Sequence, residues 1–196
     1  MKNGKDAALP PQSLKQRRRT RPKTLTDSAI SAALSCPRLD EDIESWGKWR
    51  NLDPVTPDRT FVISYTKYPE FRTLVKYRFR RAGLDINILP DLPGANDLYI
   101  VCDDIGGGFR IQHGHSTWVL ADRIGRNFHV NQNVTIGLAR GSSLKPRIGD
   151  NVSIHTGAVV AGNISIGNRV VIAPNAFVNF DVPENKKVFP ARSVII

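Results

Sequence analysis

The chain of 196 residues has only two cysteines, Cys36 and Cys102, and no run of about eighteen consecutive apolar residues. Two cysteines in different segments, without zinc-type spacing, exclude a disulfide framework. The first twelve residues contain no apolar stretch as long as that of a signal peptide. These absences predict a cytoplasmic protein with reduced thiols.

Acidic residues are also scarce, since 18 Asp and Glu stand against 28 Lys and Arg, giving a net charge of +10. Residues 15–23 concentrate the cations beside several prolines, so we expect residues 1–24 to form a basic disordered arm. Such an arm could bind nucleic acid or an anionic membrane surface, where each cation contributes about 1 kcal/mol. A charge run is more often a solvated tail, so we predict no nucleic-acid partner and at most a weak association with an anionic membrane surface.

What the C-terminal half has in abundance is aliphatic residues that recur every six positions. Eleven positions share this spacing: Ile105, Ile111, Ile124, Val130, Ile136, Ile148, Ile154, Val160, Ile166, Ile172 and Val178. Glycine or alanine often follows the aliphatic residue, and a small residue there lets the backbone turn a corner. Four positions after the aliphatic residue, a second small or apolar one tends to recur, from Phe109 to Val182. Both classes are expected to point inward.

A unit of six residues with two inward positions is too short for a helix plus a turn, and it matches neither an amphipathic helix nor an alternating strand. It fits one short strand and one corner. Three such units close a triangular coil, and stacked coils bury a continuous aliphatic column. We therefore predict a mainly β protein with a parallel β-helix over residues 97–196. A β-sandwich with regular turns is the alternative, but eleven positions in phase argue against it.

Residues 25–96 predict a small α-helical region. Thr26 can cap a helix that runs to Ser35, and a second short helix is expected over residues 40–49. Residues 51–59, with two prolines, predict a connection. The clearest helix begins at Pro69 and stops at Gly83. Because a solenoid needs a cap, we expect this region to cover the end of the β-helix.

The repeat is interrupted twice, and binding loops tend to lie at irregularities in a solenoid. Between Ile111 and Ile124 the spacing is one residue longer than two repeats, and this stretch contains His113 and His115. The second interruption, LARGSSLKPR over residues 138–147, is expected to leave the coil as a flexible loop that could close over a ligand.

Three stretches of the repeat region resemble the serine acetyltransferase branch of the hexapeptide acyltransferases: GGGFRIQHG, IGRNFHVNQNVTIG and KPRIGDNVSIHTGAVVAG. The resemblance extends over about residues 97–196 and implies a left-handed parallel β-helix. It also implies an acetyl-CoA-dependent O-acetyltransferase that forms a homotrimer, with acetyl-CoA bound between neighbouring subunits. No metal is implied.

In that branch the motif at residues 105–113 ends in the catalytic histidine, so the resemblance assigns this role to His113. A general base is needed because an alcohol must lose its proton as it attacks a thioester, and neutral imidazole has a suitable pKa. A corner histidine hydrogen-bonded to backbone is the alternative for His113. By position in the family, seven further residues would bind the cofactor: Gly137, Thr156, Gly157, Pro174, Asn175, Lys186 and Arg192. Lys186 or Arg192 would lie near the cofactor's phosphates.

Three positions depart from the serine-specific pattern of the family. Its serine-binding aspartate is Gln112 here, a second histidine aligns with Lys145, and the aspartate that orients the imidazole aligns with Leu98, next to Asp97. A lost carboxylate removes a partner for the substrate ammonium, an interaction of about 1.5 to 3 kcal/mol. We assign Gln112, His115 and Lys145 to acceptor binding.

The acceptor expected on this basis is a hydroxyl of a sugar or surface polysaccharide, because FRIQHGHSTWV behind a short helical region resembles the polysaccharide and sugar O-acetyltransferases of the branch. The alternative is a serine O-acetyltransferase of cysteine biosynthesis. Two further classes stay open. A histidine-bound zinc, as in the gamma-class carbonic anhydrases, is not supported by the spacing of the four histidines. A non-catalytic β-helix scaffold is favoured by the missing aspartate at position 98 and opposed by the retained His113.

Overall fold

The computed structural model describes residues 24–52, 56–141 and 143–191. Within these ranges the chain forms a helical region followed by short strands. The helices are α1 (Asp27–Leu34), α2 (Leu39–Trp49), α3 (Pro57–Lys67), α4 (Pro69–Arg81) and a 3₁₀ turn (Ile86–Ile88). The strands are β1 (Leu98–Ile100), β2 (Asp104–Ile105), β3 (Arg110–Ile111), β4 (Thr117–Val119), β5 (Arg123–Ile124), β6 (His129–Val130), β7 (Thr135–Gly137), β8 (Arg147–Ile148), β9 (Ser153–Ile154), β10 (Val159–Ala161), β11 (Ser165–Ile166), β12 (Val171–Ile172), β13 (Phe177–Val178) and β14 (Lys187–Val188).

The strands form three parallel sheets, which are the faces of a triangular solenoid of about five coils. Face A contains β1, β4, β7, β10 and β13; face B contains β2, β5, β8 and β11; face C contains β3, β6, β9, β12 and β14. We name the corners edge AB, edge BC and edge CA after the faces that they join in chain order. Pairing is in register, so that Ile105 lies against Ile124 and Ile124 against Ile148. The predicted parallel β-helix with an N-terminal helical region is confirmed.

The hexapeptide periodicity produces the core directly. All eleven aliphatic positions are at most 3% exposed, and the second inward positions, from Phe109 to Val182, are at most 7% exposed. Each coil therefore places aliphatic side chains on those of the next coil, and full burial stabilises by about 1.5 to 3 kcal/mol per large apolar side chain.

The helices follow their sequence signals with one exception. Thr26 caps α1 by accepting a hydrogen bond from the backbone N–H of Ala29 at 3.3 Å. Gly83, with φ of +68°, ends α4 as predicted. The predicted connection over residues 51–59 is wrong at its end, since α3 begins at Pro57. The fixed φ of proline suits the first helical position, where its missing N–H costs nothing.

The helical region caps the first coil. Strand N–H groups of each coil donate to carbonyls of the following coil, as from Gly106 to Ile124, so the first coil has carbonyls that no strand can satisfy. Arg78 of α4 donates to the carbonyls of Ile105 and Gly106, at 2.7 Å each. Trp46 of α2 and Tyr77 of α4 donate to the carbonyls of Phe109 and Cys102, at 2.8 Å each. The expectation that the helices cover the end of the solenoid is confirmed.

Asp42 of α2 holds Arg78 in this position. Its carboxylate accepts from Arg78 Nε at 2.7 Å and Nη2 at 3.2 Å, and from the backbone N–H of Phe109 at 2.8 Å. Asp42 is fully buried and Arg78 is 3% exposed. Burial raises the pKa of the Asp42 carboxyl, and the charge of Arg78 acts against this rise. The pair is thus buried with its hydrogen bonds directed at the first coil.

Helix α2 also covers part of the outer surface of face C. The Trp49 ring packs edge-on against His129 at 5.4 Å between centroids, and His155 lies 6.2 Å beyond. Burial lowers the pKa of His129 to about 4, and the nearby charges of Arg110 and Arg50 act in the same direction. His129 is therefore neutral at pH 7.

Both cysteines are free and buried, and burial raises the pKa of Cys36 to about 11. None of the helices in the described ranges is both long and apolar enough to cross a membrane. The predicted basic arm lies, apart from Thr24, outside the described residues.

Replacing Asp42 by asparagine should destabilise the fold by about 3 to 5 kcal/mol, because it leaves the Arg78 cation buried without a charge partner. Urea denaturation measures this loss. The matched control is Glu44→Gln on the same helix, whose ion pair with Lys48 is largely exposed; it should change stability by less than about 1 kcal/mol. Equal effects of the two substitutions would contradict the anchoring role of Asp42.

The stability of the protein should fall as the pH drops from about 6.5 to about 4. The unfolded chain protonates His129 near its ordinary value of 6.5, whereas the folded state does so only near 4, so the neutral form stabilises the fold fully above this window and the contribution is lost below it. The loss is up to about 3 kcal/mol. Denaturation across this pH range should show a smaller slope in His129→Gln than in the wild type.

Candidate active site

The extra residue between Ile111 and Ile124 lies at edge CA. Five residues, 112–116, join β3 to β4, whereas the following corners of this edge use four: 131–134, 155–158 and 173–176. His113 and Gly114 both adopt positive φ, of +67° and +66°. The additional residue therefore forms a bulge on the outside of the solenoid, and His113 is exposed on it.

The backbone around His113 is fixed by the neighbouring coil. The N–H of Gln112 donates to the carbonyl of Val130 at 2.8 Å, and the carbonyl of His115 accepts from the N–H of Asn133 at 2.8 Å. A Cβ on Gly114 would lie 3.2 Å from the Leu98 side chain, a tight contact, and the positive φ at this position favours glycine. In the part of the chain that is described, no hydrogen bond ties the His113 imidazole to another residue, and the alternative of a backbone-bonded corner histidine finds no support.

Most of the predicted site residues line the same edge. Gln112, His113 and His115 lie at its first corner, Thr156 and Gly157 two coils further, and Pro174 and Asn175 one coil beyond. The N–H of Asn175 donates to the carbonyl of Thr156 at 2.9 Å. Gly157 has φ of +71°, and a Cβ there would collide with the Asn175 side chain. Edge CA is therefore a continuous strip along which the predicted base and much of the predicted cofactor site are aligned.

Three of the predicted residues lie away from this strip, and a fourth lies outside the described residues. Gly137 is the last residue of β7, and Lys145 lies at edge AB, where nine residues, 138–146, join β7 to β8 in place of the three that serve the neighbouring coils. Lys186 is exposed at edge BC. Arg192 lies outside the described residues. A single chain thus brings neither Lys145 nor Lys186 to His113.

Leu98, which aligns with the imidazole-orienting aspartate of the family, is buried in the first coil. Asp97 lies at edge CA, is exposed, and accepts through its backbone carbonyl from the N–H of Thr117 at 2.8 Å. The carboxylate nearest in sequence to that position is therefore on the same edge as His113, one coil earlier, although no hydrogen bond between the two side chains is formed in the described structure.

The helical region contributes residues that the sequence did not single out. Glu70, at the start of α4, is 7% exposed, and its Cβ lies 3.6 Å from the position that a Gly114 Cβ would take. Arg50 donates to Glu70 at 3.4 Å. Its guanidinium lies over the Trp49 and Tyr68 rings, 4.0 and 4.4 Å from their centroids. No motif links these residues, since they are brought to edge CA only by the docking of the cap.

Face C and the adjoining edge CA add three polar side chains beside this pair. Arg110 and His129 are register partners on adjacent strands, and Asn131 donates to the Gln112 side chain at 3.4 Å. We call Arg50, Glu70, Arg110, His129 and Asn131 the face C cluster. Four of its buried polar atoms have no hydrogen-bond partner: Arg50 Nε, Arg110 Nε, His129 Nε2 and Asn131 Oδ1. Buried polar atoms are rarely left unpaired in folded proteins.

Among the described residues, no group of three or more histidine, cysteine, aspartate or glutamate side chains is arranged to hold a metal ion. The imidazoles of His129 and His155 are 6.2 Å apart between centroids. What the edge offers instead is an exposed imidazole beside a partly buried, charged cluster.

Comparison with known proteins agrees with this geometry. Residues 145–179 match the family model described as bacterial transferase hexapeptide (six repeats). A serine acetyltransferase of Bacillus licheniformis is 38% identical over 97 residues, which cover 46% of this chain and 44% of that protein. One from Staphylococcus xylosus is 42% identical over 89 residues, covering 43% and 40%. The chain therefore spans less than half the length of these curated relatives.

A crystal structure of serine acetyltransferase 1 from Entamoeba histolytica, in complex with L-cysteine, superposes with a TM-score of 0.58 at 26% identity. The superposition covers 82% of this chain and 63% of that one. The likeness thus includes much of the helical cap as well as the solenoid.

The expectation of a sugar or polysaccharide acceptor is wrong. The curated relatives and the solved structure are all serine acetyltransferases, the alternative considered above. The inference depended on Gln112 and its immediate neighbours, whereas the structure builds the surroundings of His113 partly from the distant Arg50 and Glu70. In its repeats, its fold and these relatives, the chain resembles the hexapeptide-repeat proteins of the serine acetyltransferase-like branch.

Proposed function

We propose that the protein is an acetyl-CoA-dependent serine O-acetyltransferase with His113 as the general base. The observation that carries this proposal is the five-residue corner at edge CA, which presents an exposed histidine on a solenoid of the serine acetyltransferase type. The relatives supply the substrate class, and the bulge supplies the group that the chemistry requires.

In the proposed reaction, the serine hydroxyl attacks the carbonyl carbon of the acetyl thioester while the neutral imidazole of His113 accepts the hydroxyl proton. The tetrahedral intermediate then collapses, the C–S bond breaks, and the imidazolium returns the proton to the thiolate of coenzyme A. The products are O-acetylserine and the free thiol. Holding both substrates along one edge supplies the proximity on which such a direct transfer depends.

Acetyl-CoA is proposed to lie along edge CA. Thr156, Gly157, Pro174 and Asn175 follow His113 along this strip, which supports their assignment to the pantetheine arm. The Asn175 side chain lies where a Cβ on Gly157 would be, so the two residues are in direct contact on this strip. The adenosine phosphates would be near the cations Lys186 or Arg192, as the resemblance implies.

A homotrimer would bring together the predicted site residues that a single chain keeps on separate edges. In a trimer, edge AB of one subunit can lie beside edge CA of the next, bringing Gly137 and Lys145 to the His113 of a neighbour. Face A, between these edges, supports such a contact because it exposes large apolar side chains. Tyr99 and Trp118 are stacked at 4.3 Å and are 43% and 47% exposed, and Phe177 is 60% exposed.

Purified protein should release thiol from acetyl-CoA when L-serine is added. His113→Ala should lower this rate by about 100- to 10,000-fold, because proton transfer from the hydroxyl loses its acceptor. Acetyl-CoA affinity should stay nearly unchanged, and Glu44→Gln, on the exposed side of α2, should keep wild-type activity. Unchanged turnover in His113→Ala would remove the histidine from the mechanism, and the absence of L-serine-dependent release would favour a non-catalytic scaffold.

Light scattering of the purified protein should give the mass of three copies of the 21.8 kDa chain. This state is expected because the proposed site takes residues from two edges that one chain keeps apart. An active monomer would contradict the shared site.

A further inference from the structure

The helical cap closes the three faces of the first coil unequally. On face B, Arg78 donates to the carbonyl of Ile105 at 2.7 Å. Beside face C, the backbone of Phe109 donates to Asp42 and accepts from Trp46, at 2.8 Å each. On face A, none of the described cap residues forms a hydrogen bond with the backbone of β1, the first strand of that sheet. The edge of β1 that faces the cap is therefore open.

The pairing of β1 with β4 determines which backbone groups lie on this open edge. The carbonyl of Asp97 accepts from the N–H of Thr117 at 2.8 Å, and the N–H of Val101 donates to the carbonyl of Val119 at 2.9 Å, so both groups point to the second coil. Backbone groups alternate in direction along a strand. The N–H and C=O of Ile100 therefore point to the cap, where no described residue pairs with them.

A groove of about 470 Å³ follows this edge, between β1 and α4. Helix α4 contributes Tyr77, Arg80 and Arg81 to one wall, and residues 98–103 form the other. Val101 is 49% exposed beside it. Neighbouring strands of a sheet lie about 4.8 Å apart, so an extended chain that paired with β1 would occupy this groove.

The charge of the groove indicates what kind of chain would bind. Arg81 pairs with Asp103 at 2.9 Å. Arg80 is exposed in the last turn of α4, and no ion pair involves it in the part of the chain that the structure describes. This excess of one positive charge favours an acidic segment. It disfavours the basic residues 15–23 of this chain and the same edge of a second copy.

We propose that the open edge of β1 is a docking site for an extended acidic segment of a partner protein, which adds to face A as a further strand. The main chain of the segment pairs with Ile100, whose register partner Val119 belongs to the buried column. Alternate side chains of a strand point to opposite faces. The segment therefore places aliphatic side chains over Ile100 and acidic ones toward Arg80. Such strand addition obtains affinity from the main chain and specificity from the alternate side chains.

The probes are short fluorescein-labelled peptides in which glutamate alternates with valine or with isoleucine. Anisotropy titrations with the full chain, in the oligomeric state that it adopts in solution, should show saturable binding that weakens as salt is added. N-methylation of one alternate set of peptide nitrogens, the set that faces β1, should weaken binding about tenfold, because it removes main-chain donors. Peptides with lysine in place of glutamate should bind more weakly.

Two substitutions in the protein test the same contacts from the other side. Ile100→Pro removes the N–H of the open edge but no hydrogen bond to β4, and proline is tolerated on an edge strand; it should weaken binding about tenfold. Its control, Ile100→Val, keeps the N–H and should bind as the wild type does. Arg80→Gln should weaken binding about 2- to 5-fold. Its control is Arg59→Gln, which removes an exposed cation of α3 and should have no effect.

Thermal melting identifies any variant that does not fold, and the N-methylated peptides test the strand pairing without altering the protein. The proposal would be overturned by the absence of saturable binding up to about 1 mM peptide. Equal affinities for the native and both N-methylated peptide sets would also overturn it, as would equal affinities for glutamate and lysine peptides. Dissociation of the oligomer by the peptides would instead assign the edge to a contact between copies of this chain, and would reject a partner protein as its occupant.

Discussion

The buried ion pair between Asp42 and Arg78 is the constraint from which the rest of the molecule follows. A parallel solenoid has a direction, so one of its ends presents carbonyl oxygens that no further strand can satisfy. Arg78 meets two of these oxygens with one planar group, and Asp42 fixes that group while accepting from the backbone of Phe109. Without this pair the helices would keep only single hydrogen bonds to the first coil, such as those of Trp46 and Tyr77.

The same helices that close the solenoid also build the surroundings of His113. In α2, Asp42, Trp46 and Trp49 follow at spacings of four and three residues, so they share one helix face. The first two contact the first coil, and the third reaches His129 on face C. In α4 the same division holds. Glu70, at the start of the helix, lies near the His113 corner, and Arg78, two turns later, contacts the first coil. Folding of the cap and assembly of the site are therefore one event.

The sequence was sufficient for those features that depend on local periodicity. Aliphatic residues six apart predict the solenoid because each coil repeats the same burial, and the single additional residue before Ile124 located the irregular corner with His113. Pro57 was misinterpreted because proline marks both the end of a loop and the first position of a helix. Arg50, Glu70 and Arg110 could not be predicted, since their association depends on how a cap docks onto a coil more than twenty residues away. The acceptor was mistaken for the same reason: it was inferred from the corner alone.

The bulge at edge CA shows where a molecule of this kind can change. If one residue were added within a strand of any face, every following side chain of that strand would turn from the buried aliphatic column to the solvent. At an edge, the same addition moves only the corner outward, as it does with His113, and the loop of residues 138–146 shows that nine residues fit where three suffice. The solenoid thus separates the part of the chain whose length is fixed from the part that is free to vary. New chemistry can be acquired at the edges one residue at a time, without disturbing the pattern on which folding depends.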